Sequence, residues 1–169
     1  VESYIGHLFS DWTPNFSTEV KVAFTEQATG QDSLNGAEFF LGSVPTTSSG
    51  TNVAFGPDRF RHANDLDQEF FDLKLKASYV VGDHTLKAGY ERQEVDVDNL
   101  FVQNSEGTYG FSSVADLGNA IANELEYDNA VTNDENDARA IWGFNINSVY
   151  LQDTYDFLPN LTFNLGVRY

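Results

Sequence analysis

Histidine is the side chain best suited to bind a transition metal or pass protons near neutral pH, and the chain has three: His7, His62 and His84. They fall on a strand-like run, in a loop and at a turn. No HExxH or other paired-histidine spacing joins them, so each reads as a polar surface side chain and not a ligand. Serine, histidine and aspartate are all present, but no GxSxG elbow accompanies them. With no cysteine, thiolate zinc sites, disulfides and cysteine nucleophiles are excluded. The run Asn133-Asp134-Glu135-Asn136-Asp137, with Glu124, Glu126 and Asp128, offers the hard oxygen donors that calcium takes. It lacks the central glycine and terminal glutamate of a calcium loop, so a solvated acidic loop over 124–137 is the plainer expectation. Gly30, Gly36, Gly42, Gly50 and Gly56 are irregularly spaced and mark a flexible loop, not a phosphate cradle. The chain is therefore expected not to be an enzyme, with no catalytic residue, metal or cofactor. Its substrate-binding residues are unassigned; Phe101, Tyr109 and Phe111 supply aromatic surface in the loops.

The elements that would carry these side chains are dominated by alternation. From Phe16, one parity reads Phe16, Thr18, Val20, Val22, Phe24 and the other Ser17, Glu19, Lys21, Ala23, Thr25. Phe71, Leu73, Leu75, Ala77 and Tyr79 oppose Asp72, Lys74, Lys76 and Ser78. Leu161, Phe163, Leu165, Val167 and Tyr169 oppose Thr162, Asn164, Gly166 and Arg168. A period of two with one oily side is the signature of a strand. Each run has a partner across a tight turn, at Thr13-Pro14-Asn15, Gly82-Asp83 and Leu158-Pro159-Asn160, residues that supply fixed or positive φ. Three antiparallel hairpins follow. Asp11-Trp12-Thr13-Pro14-Asn15-Phe16 also parallels Asp156-Phe157-Leu158-Pro159-Asn160-Leu161, one hairpin solution used twice.

Two long links join the hairpins. Residues 28–66 are rich in Gly, Ser, Thr and Asn. Residues 98–139 are acidic, and Val114, Leu117, Ile121 and Leu125 fall near helical spacing there, with Ser113 set to cap at Asp116. Short turns alternating with long links match an outer-membrane barrel, which has short periplasmic turns and long extracellular loops. A soluble sandwich has short connections at both ends. The runs reach ten residues or more, whereas a tilted membrane strand needs about 9 to 11 and globular strands average about 5 to 6. Trp12, Phe16, Tyr155 and Phe157 sit beside the short turns, where barrels carry aromatic girdles. One stretch breaks phase: Trp142, Phe144, Ile146 and Tyr150 share a parity that Val149, Leu151, Tyr155 and Phe157 do not. A β-bulge near Ser148 would reconcile them.

Composition agrees with this reading. The hydrophobic fraction is 41%, and no apolar run approaches the roughly 20 residues of a membrane helix. Barrel strands alternate faces, so their average hydropathy looks soluble. A net charge of -17, from 26 acidic and 9 basic residues, argues against nucleic-acid binding. The chain has no methionine, and strand patterning runs from its first residues to its last. A section of a longer or processed protein is the expectation. Residues 1–169 thus read as an all-β, antiparallel, up-and-down section of a transmembrane barrel. The alternatives are a soluble β-sandwich that binds glycan or protein through its loops, and a barrel of another kind, such as a porin or autotransporter.

Two stretches carry a family resemblance. His84-Thr85-Leu86-Lys87-Ala88-Gly89-Tyr90-Glu91, followed by Asn99-Leu100-Phe101-Val102, resembles the barrel of Oar-like TonB-dependent receptors. Ser148-Val149-Tyr150-Leu151-Gln152-Asp153-Thr154-Tyr155, then Pro159 to Tyr169, contains YxQD, a Pro-Asn turn and LGxRY, as TonB-dependent barrels do. The resemblance is best from Leu66 to Tyr169. It implies a bacterial outer-membrane location and a 22-stranded barrel closed around an N-terminal plug that meets TonB. No plug is recognisable in the chain. Its expected partners are the rest of its own barrel, the plug, outer-membrane lipid and, through the plug, the TonB system. The transported substrate is not legible.

Overall fold

The computed structural model describes residues 1–31, 33, 36–46 and 51–169. Six strands form one open sheet: β1 (Glu2–Thr13), β2 (Phe16–Gly30), β5 (Ala63–Val81), β6 (His84–Val102), β9 (Ala140–Leu158) and β10 (Leu161–Arg168). They lie in the order β1-β2-β5-β6-β9-β10, each beside its sequence neighbour within the sheet. That is the up-and-down arrangement the alternation demands, with β1 and β10 left as edges. Strands β5, β6 and β9 each run for 19 residues, well beyond an ordinary globular strand.

The two similar hexapeptides fold alike. In the first hairpin Thr13 stands opposite Phe16 and Asp11 opposite Ser17, which leaves Trp12 as an extra residue. In the third, Leu158 stands opposite Leu161 and Asp156 opposite Thr162, which leaves Phe157 extra. Each is a Pro-Asn loop preceded by a bulge whose additional residue is aromatic, and a bulge re-aims a side chain. The Trp12 indole donates to Thr18 Oγ1 at 2.8 Å, on the face of Val20, Val22 and Phe24. The Phe157 ring lies 5.9 Å from Phe163, on the face of Leu165 and Val167. The middle hairpin turns instead at Gly82, whose φ of 58° favours glycine.

No bulge interrupts β9 at Ser148. Asp156 N donates to Asp83 O, His84 stacks on Tyr155, and the Tyr150 ring crosses Gly89. Arg168 reaches both Glu91 and Ser148, Arg92 bonds Asn147, and Gly143 lies against Asp96. Every step back along β9 is matched by a step forward along β6, so a single register runs through. Trp142, Phe144 and Ile146 therefore share a face with Ser148 and Tyr150. The phase break expected from their apolar character is absent, and Trp142, Phe144 and Ile146 stand exposed on the parity of Ser148.

By its contacts the chain forms two compact units. The first comprises Val1–Gln27, Gln68–Val97 and Trp142–Tyr169, and the second Ala28–Asp67 and Asp98–Ile141. The second unit has more regular structure than loops would. Strands β3 (Leu41–Pro45), β4 (Asn52–Phe55), β7 (Thr108–Gly110) and β8 (Glu124–Glu126) form a sheet in the order β4-β3-β7-β8. The β3–β7 pair is parallel, the others antiparallel. Buried Ala63, Leu100 and Val102 form a small core here.

The expected helix is cut short: α1 spans only Val114–Gly118. Its start is as expected, with Ser113 Oγ accepting from Asp116 N at 3.0 Å. It ends because Ala120, at φ 54°, turns left-handed while Ile121 N donates to Asp116 O and Ala120 N to Leu117 O. These two bonds satisfy the orphan carbonyls of the last turn. Leu125 joins β8 opposite Tyr109.

Candidate functional site

The polar parity of the six-stranded sheet gathers charge into connected pairs. Glu19, on β2, accepts from His7 at 2.8 Å and from Lys76 of β5. Glu91, on β6, accepts from Arg168 of β10 at 2.5 Å, and Arg168 also donates to Ser148 at 2.8 Å. Gln93 donates to Asp72 at 2.8 Å. All four lysines of the chain, Lys21, Lys74, Lys76 and Lys87, belong to this parity. The other parity is mostly oily and uncovered, with Leu8 61% exposed, Leu165 69% and Val167 68%, and it also carries the His84–Asp153 and Arg92–Glu94 pairs. A β-sandwich would bury that face against a second sheet.

The second unit is held by charge at the roots of its segments. Arg139 donates to Asp65 Oδ1 and Oδ2 at 2.9 and 2.7 Å and to Asp98 Oδ1 at 3.0 Å. This fork raises the guanidinium's affinity for its proton, Asp65 acting first and Asp98 second. Removing it leaves two carboxylates facing each other. The groups are partly exposed, so Arg139→Ala is expected to cost about 1–2 kcal/mol. Hydrogen exchange should speed up at β5 near Asp65 and at β6 near Asp98. Arg139→Lys should restore only part, because one ammonium cannot match the fork. Unchanged exchange would mark the cluster as an idle surface contact.

His62 is buried within the same unit, and its Nδ1 accepts from the Glu106 backbone N–H at 3.3 Å. Burial lowers its pKa, outweighing the Pro57 carbonyl and the Asp58 charge. Burial likewise raises the Glu106 carboxyl, helped by Glu135 and Glu38. His7 and His84 are paired with Glu19 and Asp153, and no two histidines meet. Among the described residues no three His, Asp or Glu side chains are arranged to hold a metal ion. The acidic run instead makes a short 3-10 turn, Glu135–Ala138, capped by Asp134, whose carboxylate accepts from Asn136 N.

The proposed aromatic surface divides. Phe101 is 46% exposed, but Phe111 is buried and Tyr109 packs edge-on against Phe40 at 5.0 Å. Two of the glycines read as flexible are packing positions: a β-carbon on Gly42 would enter the Phe55 ring, and one on Gly56 the Phe40 carbonyl. Gly50 lies outside the described residues. The Arg139 fork was not foreseen. A lone arginine beside an acidic run, at the start of an oily alternation, was its only trace.

Residues 7–169 match the outer membrane beta barrel domain family, and the chain belongs to it. Among solved structures it is similar to the outer membrane transporter YddB from Escherichia coli, with a TM-score of 0.53 and 11% identity. The match covers 99% of this chain and 21% of that one, and at that identity the likeness is one of fold. No curated protein matches. Family and neighbour are those of a barrel and a transporter of the bacterial outer membrane, and neither is an enzyme.

Proposed function

We propose that the chain is a section of the wall of a TonB-dependent, Oar-like receptor, whose two long segments, 28–66 and 98–139, present extracellular surface for substrate uptake. The observation that carries this is the uncovered oily parity running across six long antiparallel strands, backed by a polar parity rich in lysine. The YxQD and LGxRY stretches support the TonB-dependent class. The edges β1 and β10 must pair with further strands, because unpaired backbone is not tolerated in hydrocarbon. Those strands and a plug that meets TonB would come from elsewhere in the protein.

The test compares uptake in cells lacking the gene with uptake in cells depleted of TonB, across a panel of solutes. The expected result is a solute whose uptake falls in both. Uptake that needs the gene but persists without TonB would make the barrel a passive pore.

A further inference from the structure

We propose that the polar face of the six-stranded sheet holds a recess for a small oxyanion, a carboxylate or phosphate group, between Lys76, Lys87 and Arg168. The inference rests on the wall reading, which turns this face toward a wet lumen. The recess measures about 470 Å³ and is lined by these three cations with Glu91, Tyr150 and Gln152. A second hollow of about 300 Å³ also has Lys76 and Lys87 in its lining, here beside the carboxylates of Asp11 and Glu19.

Three features point to an anion. The first is sorting: in a chain of net charge -17, every lysine lies on this one face. The second is incomplete neutralisation. Lys76 shares Glu19 with His7 and Arg168 is tied to Glu91, but among the described residues Lys87, Lys21 and Lys74 have no acidic partner within 4.0 Å. Of these only Lys87 lines the recess, so it is the cation there with no carboxylate of its own. The third is shape. Gly166 adds no side chain to the recess, and Gly89 leaves the space that the Tyr150 ring occupies over β6, so that Tyr150, Lys87 and Arg168 line the same hollow.

Lysines act as point charges and do not select between planar carboxylate and tetrahedral phosphate. The test therefore uses citrate and inorganic phosphate as separate probes, titrated calorimetrically into the whole receptor folded in detergent. Lys87→Gln should weaken binding of at least one probe by about tenfold or more. Lys87→Arg should keep it, and added salt should weaken it in the wild type. Heat-modifiable gel mobility shows that each variant is folded. If neither probe binds the wild type, or Lys87→Gln binds both as tightly, the recess is overturned. A Val20→Cys variant separates this from failure of the wall reading. Its labelling by a water-soluble maleimide would remove the wall whatever the anion result, and its protection would keep the wall even if no anion binds.

Discussion

Leu75→Arg should lower the stability of the barrel by about 2–4 kcal/mol, the cost of an arginine at the bilayer midplane. Leu75 sits in the middle of β5 on the oily parity, between Leu73 and Ala77, and nothing covers it. At Val81, beside the middle turn, the same change should cost about 0–1 kcal/mol, because the side chain reaches the interface. Lys74→Arg, one residue away on the polar parity, should change stability by less than about 0.5 kcal/mol. The measurement is urea unfolding of the whole protein folded into vesicles. The gradient with depth is the informative part. If Val81→Arg cost as much as Leu75→Arg, the face would be packed against protein and not immersed in lipid.

Gly56→Ala should destabilise the second unit by about 3 kcal/mol, combining left-handed strain with overpacking. Gly56 has φ 91°, and an added methyl group would run into the Phe40 carbonyl oxygen, which is backbone and cannot swing aside. Phe40 in turn packs against Phe55 and Tyr109, so the displacement would reach β4 and β7. Gly36→Ala is the control: its φ is 85°, but among the described residues nothing lies within 4 Å of an added β-carbon, so the expected cost is the strain of about 1–2 kcal/mol. Hydrogen exchange over β3, β4 and β7 reports both. Equal effects of the two changes would mean that the Phe40 contact is loose.

How far the sequence could be read follows from what each residue pattern determines. Alternation, turn residues and run length are local properties, and they located all three hairpins and the sorting of lysine from leucine. Even the shared hexapeptide around Pro14 and Pro159 had a structural counterpart, though the bulges at Trp12 and Phe157 depend on pairing across the hairpin. Where pairing partners are distant, local pattern failed. β3 pairs with β7 across more than sixty residues, and strands of three to five residues leave too few positions for periodicity to show. The helical spacing of Val114, Leu117, Ile121 and Leu125 outran the helix because Ala120 closes its end in a conformation that glycine usually takes. Gly42 and Gly56 looked loose because a glycine's neighbours in space are invisible in its neighbours along the chain. The apolar run at Trp142, Phe144 and Ile146 suggested a slip that the register does not contain.

The central claim is that the oily parity faces hydrocarbon, and site-directed spin labelling of the whole protein in vesicles tests it most directly. Labels at Val20, Leu75 and Leu165 should relax with molecular oxygen, which concentrates in lipid. Labels at Lys21, Lys74 and Asn164 should relax with a water-soluble nickel chelate. Oily-parity labels that respond to the chelate, or to neither reagent because protein encloses them, would contradict the account.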